Sequence, residues 1–205
     1  MPTADATTVD EQVYRASAYS LLAATLRTPP DRALLDRLAQ LSPGGDVEPG
    51  DDSEPDELLE AMRQVAESAD KFSLEQLDDE YHALFIGIGR GEVVPYGSWY
   101  LTGFLMEKPL SDLRDDLKAL GFERNPEVHE PEDHISAIFE VFSVMISDGS
   151  SLEMQQKFFN KHISSWAERF FTDLGKAGSA NFYQPVARFG AAFIELEKAY
   201  LSMRN

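Results

Sequence analysis

The sequence predicts an all-α protein, a compact bundle of roughly eight to ten helices, on three observations. Apolar residues recur at spacings of three and four along most of the 205-residue chain. Alternating strands are absent, and Val93-Val94 is the only short run with β character. No internal repeat or heptad array occurs, so the helices are expected to pack together in one domain spanning 1–205.

Apolar periodicity and helix-end signals locate the predicted elements. Helices are expected over 10–27, 28–41, 57–70, 73–85, 109–121, 131–147, 151–174 and 182–203. Thr28 can cap the second helix, and Ser73 with Gln76 forms a capping-box pattern at the fourth. Gly121 is suited to close the fifth helix, and Pro131 is suited to open the sixth.

Two segments interrupt the helical pattern. Residues 42–56 contain three prolines, three glycines and a cluster of acids, which predicts a mobile loop. This loop is a poor candidate for phosphate binding, because it holds no Lys or Arg and its acids would repel phosphate. Residues 87–98 contain four glycines and Pro95, which indicates a hinge and would permit exchange of helices between two copies.

The composition excludes several classes of function. Asp and Glu number 36 against 18 Lys and Arg, a formal net charge of -18 that disfavours nucleic acid and favours a basic partner. The absence of cysteine excludes thiol catalysis, disulfides and thiolate metal sites. No signal-peptide pattern and no apolar run of about 20 residues occurs, so a soluble, cytoplasmic protein is expected.

The stretch "VHEPEDHISAIFE", residues 128–140, contains the densest group of chemically active side chains. His129 and His134 raise the alternative of a metal- or nucleotide-dependent hydrolase. Their spacing opposes a zinc helix, because residues five apart diverge by roughly 140° around a helix whereas the His-Glu-x-x-His pattern keeps its histidines four apart. The chain also lacks the lysine of a phosphate-binding P-loop.

The acids of this stretch have two further interpretations. Glu130, Glu132 and Asp133 precede an apolar helix, where negative charge near the amino terminus is favourable by about 0.3–1 kcal/mol. The same carboxylates could instead form a docking surface for a basic ligand beside an apolar wall. His134 could likewise make a structural hydrogen bond or contact a partner.

A second segment, "DEYHALFIGIGRGEVVPYGSWYL" at residues 79–101, places Tyr81, Leu84 and Phe85 on one helix face at i, i+3 and i+4. These side chains suit either the core or an apolar binding surface. If they line a groove, burial of apolar ligand surface would supply most of the affinity, and carboxylates would supply steering and register.

Together the two segments resemble the TorD/DmsD family of cytoplasmic chaperones for molybdenum-cofactor enzymes of the DMSO reductase type. The resemblance rests on Tyr81-x-x-Leu84-Phe85, Gly87, Pro95-Tyr96-Gly97-Ser98 and Glu130-Pro131-Glu132-Asp133-His134. It implies an all-α fold and no catalysis of its own. No cofactor is expected, and nucleotide binding stays an alternative. The resemblance also implies binding of the twin-arginine leader and precursor of such an oxidoreductase, with export held until the cofactor is inserted.

The resemblance further implies a leader-binding region. Separately, the glycine-rich hinge makes a monomer or a domain-swapped dimer the expected oligomeric state. The residues assigned to the leader-binding region are Tyr81, Leu84, Phe85, Pro95, Tyr96, Ser98, Glu130, Glu132, Asp133 and His134. Relatives often have Trp where this chain has Tyr81, and Trp also occurs at the position of Tyr96. A plain adaptor without leader specificity remains a further alternative.

Overall fold

Helices account for nearly all regular structure in the computed structural model, which describes residues 6–41, 56–125 and 127–203. These ranges contain α1 (Ala6–Arg27), α2 (Arg32–Leu38), α3 (Glu57–Ser68), α4 (Leu74–Tyr81), a π-helix (His82–Ile86), α5 (Gly97–Thr102), α6 (Lys108–Ala119), α7 (Ile135–Ser147), α8 (Leu152–His162), α9 (Ala167–Lys176) and α10 (Tyr183–Met203). The described residues form no β-strand, only an isolated bridge between Tyr96 and His134. The all-α prediction is confirmed.

The core lies between α1, α7 and α10, whose apolar faces are almost completely buried. α1 packs along α7, and α10 packs against α9 and α3. Tyr19 is fully buried in α1 and meets the rings of Phe139, Phe142 and Phe193 edge-on, with centroids 4.8–5.2 Å apart. Such edge-to-face pairs add about 0.5–1.5 kcal/mol beyond the area they bury.

Local capping explains the start of two early helices. Ser73 and Gln76 form the predicted capping box at α4, with both reciprocal bonds present. The prediction for α2 was wrong: Asp31, not Thr28, caps the helix, and its Oδ1 accepts from Leu34 N at 2.8 Å. Two prolines separate Thr28 from the first helical turn, so the cap falls on the residue that follows them.

The predicted helix over 151–174 is two helices, because the chain turns between His162 and Ala167. Ile163 and Trp166 are buried at this turn, and the indole N–H of Trp166 donates to His162 O at 2.8 Å. A Cβ placed on Gly97 would lie 3.2 Å from the Trp166 ring, so α5 packs closely on the turn. The break therefore brings Trp166 beneath α5.

Two boundaries near the candidate site differ from prediction. Helix α5 lies in a segment where only a glycine-rich interruption was expected, and α7 begins at Ile135 rather than at Pro131. Pro131 opens a turn instead, since its carbonyl accepts from His134 N at 3.1 Å. A side chain distant in sequence, that of Asp133, caps α5, whereas the adjacent His134 caps α7.

The predicted mobile loop at 42–56 lies outside the described residues except for Asp56, whose side chain accepts from Leu58 N at 3.0 Å and caps α3. The hinge at 87–98 remains a prediction. None of the helices in the described ranges is long and apolar enough to cross a membrane.

Candidate functional site

A groove of about 910 Å³ opens between α6, α7 and the loop that joins them. Its remaining wall comes from the end of α4, the π-helix and the segment before α5. The apolar side chains that line it are Tyr81, Phe85, Ile86, Pro95, Tyr96, Leu113, Leu117, Phe122, Val128, Pro131, Ala137, Ile138, Val141 and Val144. The groove therefore offers a long apolar surface with polar groups at its margins.

The π-helix sets which side chains face this groove. It continues α4 after Tyr81 and ends where Gly87 N donates to His82 O at 2.7 Å. Leu84 is fully buried in the core, whereas Phe85 and Ile86 line the groove. Gly87 has φ +61°, and a Cβ there would meet Arg90 O at 2.1 Å, so the turn that follows requires glycine.

Tyr81 and Phe85 form the aromatic part of this wall. Their ring centroids are 4.9 Å apart, and Phe85 meets Tyr183 edge-on at 5.4 Å. The Tyr81 hydroxyl donates to the carbonyl of Arg27 at 2.8 Å, which joins α4 to the end of α1. Burial, with a contribution from the Glu130 charge, raises the pKa of Tyr81 to about 12.

The charged lining is balanced, although the chain as a whole is strongly acidic. Four lining side chains are basic and four are acidic: Arg27, Arg114, Lys118 and Arg124, and Glu123, Glu130, Glu132 and Glu140. Two members of the predicted acidic run (Glu130, Glu132 and Asp133) therefore lie among a comparable number of cations, and the pairing of each carboxylate has to be considered separately.

Glu132 is already paired with two arginines. Arg114 approaches its Oε2 with Nε at 2.9 Å and Nη2 at 2.7 Å, and Arg124 Nε lies 3.5 Å from Oε1. Only 16% of the Glu132 side chain is exposed. Burial, the largest single effect, would raise the pKa of Glu132, but the hydrogen bond from Arg114 and the charges of Arg114 and Arg124 together outweigh it, and the pKa is lowered.

Glu140 is paired as well, through its Oε2 and Arg27 Nη1 at 2.9 Å, in a pair where both side chains are about half exposed. Glu130, by contrast, makes no ion pair with any residue in the described part of the chain. Desolvation and the nearby Asp133 charge raise the pKa of Glu130. Glu130 is thus the carboxylate of the predicted acidic run that remains open to a cationic ligand.

Asp133 and Ser98 lie beneath the groove rather than in its lining. Asp133 is 2% exposed, and its Oδ2 accepts from Ser98 N at 2.8 Å while its carbonyl accepts from Gly97 N at 2.9 Å. The Ser98 hydroxyl in turn accepts from Met106 N at 3.2 Å. These contacts fix the amino terminus of α5 and the loop that follows it.

His134 caps α7 and faces the groove. Its Nδ1 accepts from Ser136 N at 3.2 Å and lies 2.7 Å from Ser136 Oγ, while the Tyr96 ring stands edge-on at 5.2 Å. Burial disfavours the charged imidazole and the Arg27 cation adds to the effect, which lowers the pKa of His134 to about 4. The imidazole is therefore neutral near pH 7.

The ten predicted site residues separate into two groups. Seven line the groove: Tyr81, Phe85, Pro95, Tyr96, Glu130, Glu132 and His134. Leu84, Ser98 and Asp133 are buried behind it, where a bound ligand would not touch them without a rearrangement. Sequence reasoning missed the arginines of the lining, because the period of α6 shows which face is polar but not which acid each cation meets.

The structure does not group His129 with His134 in the groove: His129 is exposed in the preceding loop and is not part of the lining. Across the ranges that the structure describes, no three His, Asp or Glu side chains are arranged to hold a metal ion.

Residues 48–172 match the family model described as nitrate reductase delta subunit. The TorD chaperone of Aliivibrio salmonicida is 25% identical over 167 residues, covering 73% of this chain and 78% of the relative. A relative from Haemophilus influenzae named "Probable Tat proofreading chaperone DmsD" is 28% identical over 131 residues, covering 63% of this chain and 64% of the relative.

A solved structure supports the same fold. A crystal structure of a candidate redox enzyme maturation protein from Archaeoglobus fulgidus superposes with a TM-score of 0.57 at 19% identity, covering 88% of this chain and 93% of that one. The family model spans more than half of the chain, and the predicted family is confirmed. The chain belongs to the TorD/DmsD family of chaperones for molybdoenzyme maturation.

Proposed function

We propose that the groove binds the twin-arginine leader of a molybdenum-cofactor oxidoreductase precursor in the cytoplasm and thereby holds export until the cofactor is inserted. The observation that carries this proposal is a single groove that combines a long apolar lining with one unpaired carboxylate, Glu130, of the predicted acidic run. A leader with two arginines followed by an apolar segment has the complementary chemistry.

The apolar lining is expected to supply most of the affinity. Burial of about 500 Å² of apolar surface contributes roughly 12 kcal/mol before the costs of association. An exposed arginine–carboxylate pair contributes only about 0.2–1 kcal/mol. The apolar segment of the leader therefore determines how tightly it binds, and the carboxylates determine where its arginines lie.

The groove residues then take different parts in binding. Glu130 receives one leader arginine, since it has no resident cation. Tyr81, Phe85 and Tyr96 contact the apolar segment, and the neutral His134 offers hydrogen-bonding capacity without repelling the arginines. Asp133 and Ser98 support the site indirectly by fixing α5.

Calorimetric titration with synthetic leader peptides tests this function. One peptide carries two adjacent arginines followed by an apolar segment, a second replaces both arginines by glutamine, and a third replaces the apolar residues by serine. Binding of the first, with a modest loss for the second and a large loss for the third, is expected. Absence of binding to all three at high micromolar concentration would refute the proposal.

A further inference from the structure

We infer that the ion pair of Arg114 with Glu132 in the free protein is exchanged for an ion pair of Glu132 with a leader arginine when the peptide binds. Because Arg114 competes with the leader for this carboxylate, it limits the affinity of the groove for the peptide. This inference rests on the proposed leader binding and specifies how the second arginine is received.

The need for exchange follows from the number of free carboxylates. Of the three acids in the predicted run, Asp133 is buried under α5 and Glu132 is held by Arg114 and Arg124. Glu130 can receive one guanidinium, and its segment offers Glu132 only two residues away. Glu123, elsewhere in the lining, also makes no ion pair with a described residue, but within residues 130–133 the second arginine of a ligand reaches a carboxylate only where a guanidinium already sits.

The burial of Glu132 favours exchange of Arg114 for another guanidinium over departure of Arg114 without a replacement. Glu132 is 16% exposed, so leaving its carboxylate without a partner would be unfavourable in the free protein. Arg114 is 46% exposed and can be released to water at little cost. Exchange of one guanidinium for another keeps Glu132 paired throughout and preserves the charge of its immediate surroundings.

Lys118 provides a matched comparison on the same helix. It lies four residues beyond Arg114, lines the same groove and makes no ion pair with any residue that the structure describes. Lys118→Gln and Arg114→Gln thus remove the same charge from the same wall, but only Arg114→Gln takes a hydrogen-bonded guanidinium from a carboxylate and leaves Glu132 with the longer Arg124 contact at 3.5 Å. The difference between the two variants separates resident occupancy from general electrostatic repulsion of a cationic peptide.

The experiment is a set of titrations with the twin-arginine peptide on the wild type, Arg114→Gln, Lys118→Gln, Glu132→Gln and the double variant Arg114→Gln/Glu132→Gln. Arg114→Gln is expected to bind about 2- to 5-fold more tightly than Lys118→Gln. This gain should vanish when Glu132 is also replaced. Arg114→Lys, which keeps the charge but loses the planar fork, should give a smaller gain than Arg114→Gln.

Three results would overturn the inference: equal affinity in Arg114→Gln and Lys118→Gln, weaker binding in Arg114→Gln, or a gain that persists without Glu132. Weaker binding would instead mean that Arg114 holds the 127–132 loop in place. Thermal melting of every variant shows whether the folded fractions are comparable. If the wild type binds no twin-arginine peptide, the proposed function fails and the inference with it; if it binds and Arg114→Gln gains nothing, only the inference fails.

Discussion

Asp133 and Ser98, 35 residues apart in sequence, meet at the start of α5, where Asp133 Oδ2 accepts from Ser98 N at 2.8 Å. Its other oxygen, Oδ1, is buried without a hydrogen-bond partner among the described residues. This contact joins the two sequence segments that carry the family resemblance. It also gives the buried members of the predicted site a structural role.

Asp133→Asn is therefore expected to act on stability more than on binding. The amide would keep an acceptor for Ser98 N but bury an unsatisfied NH₂ group, at a cost of about 1–3 kcal/mol. Denaturant unfolding measures this loss, and leader affinity corrected for the folded fraction should change less than twofold. Asp115→Asn, at an exposed position on α6, is the control and should leave stability unchanged. A large loss of corrected affinity would contradict the structural role.

His134 predicts a loss of stability in mild acid. Its folded-state pKa of about 4 lies below the ordinary value of 6.5, so the unfolded chain binds the proton more readily. The contribution is present above pH 6.5 and is lost as pH falls toward 4, by up to about 3 kcal/mol. His134→Asn, which keeps a capping side chain without titrating, should flatten the curve of unfolding free energy in this window.

The matching comparison is His162, whose pKa is also lowered by burial although Asp116 opposes the shift. His162→Asn should leave the contribution of His134 in place. If His134→Asn and the wild type lose stability equally between pH 6.5 and 4, the imidazole is not the group that titrates.

Glu130→Gln is expected to weaken binding of a twin-arginine peptide by about 1.5- to 5-fold, because an exposed arginine–carboxylate pair contributes about 0.2–1 kcal/mol. Melting temperature should change little, since Glu130 makes no ion pair with a described residue. Glu127→Gln is the matched control: Glu127 belongs to the same loop, is exposed and does not line the groove. Equal losses for both variants would remove Glu130 from the site.

The buried pair of Arg15 and Glu197 predicts a strong asymmetry between single and double replacement. Arg15 donates from Nε and Nη2 to the two carboxylate oxygens at 2.6 and 2.8 Å, and Glu197 is fully buried. Arg15→Met or Glu197→Leu alone should destabilise the fold by about 3–5 kcal/mol, because one charge is left buried and unpaired.

The double variant Arg15→Met/Glu197→Leu should recover most of that loss, because both charges are removed together. Chemical denaturation of the four proteins gives the coupling energy as a double-mutant cycle. A double variant as unstable as the sum of the single variants would show that the two side chains do not act as a pair.

The sequence alone determined the all-α class, most helix positions and the family, because these depend on local periodicity, caps and short patterns. The capping box of Ser73 and Gln76 was readable since both partners lie within one helical turn. Seven of the ten predicted site residues line one groove, because the two segments that carry the family resemblance lie side by side in this fold.

Only the tertiary structure decided which acids are available to a ligand. Glu132 and Arg114 are 18 residues apart, and Asp133 reaches Ser98 across 35, so neither pairing follows from periodicity. Helix α5 was not predicted because a carboxylate distant in sequence caps it, and the predicted long helix is divided by a turn at which Trp166 packs against Gly97 of α5. The sequence determines the charge of a carboxylate. Whether that carboxylate is available to a ligand depends on the cation or backbone N–H that folding places beside it.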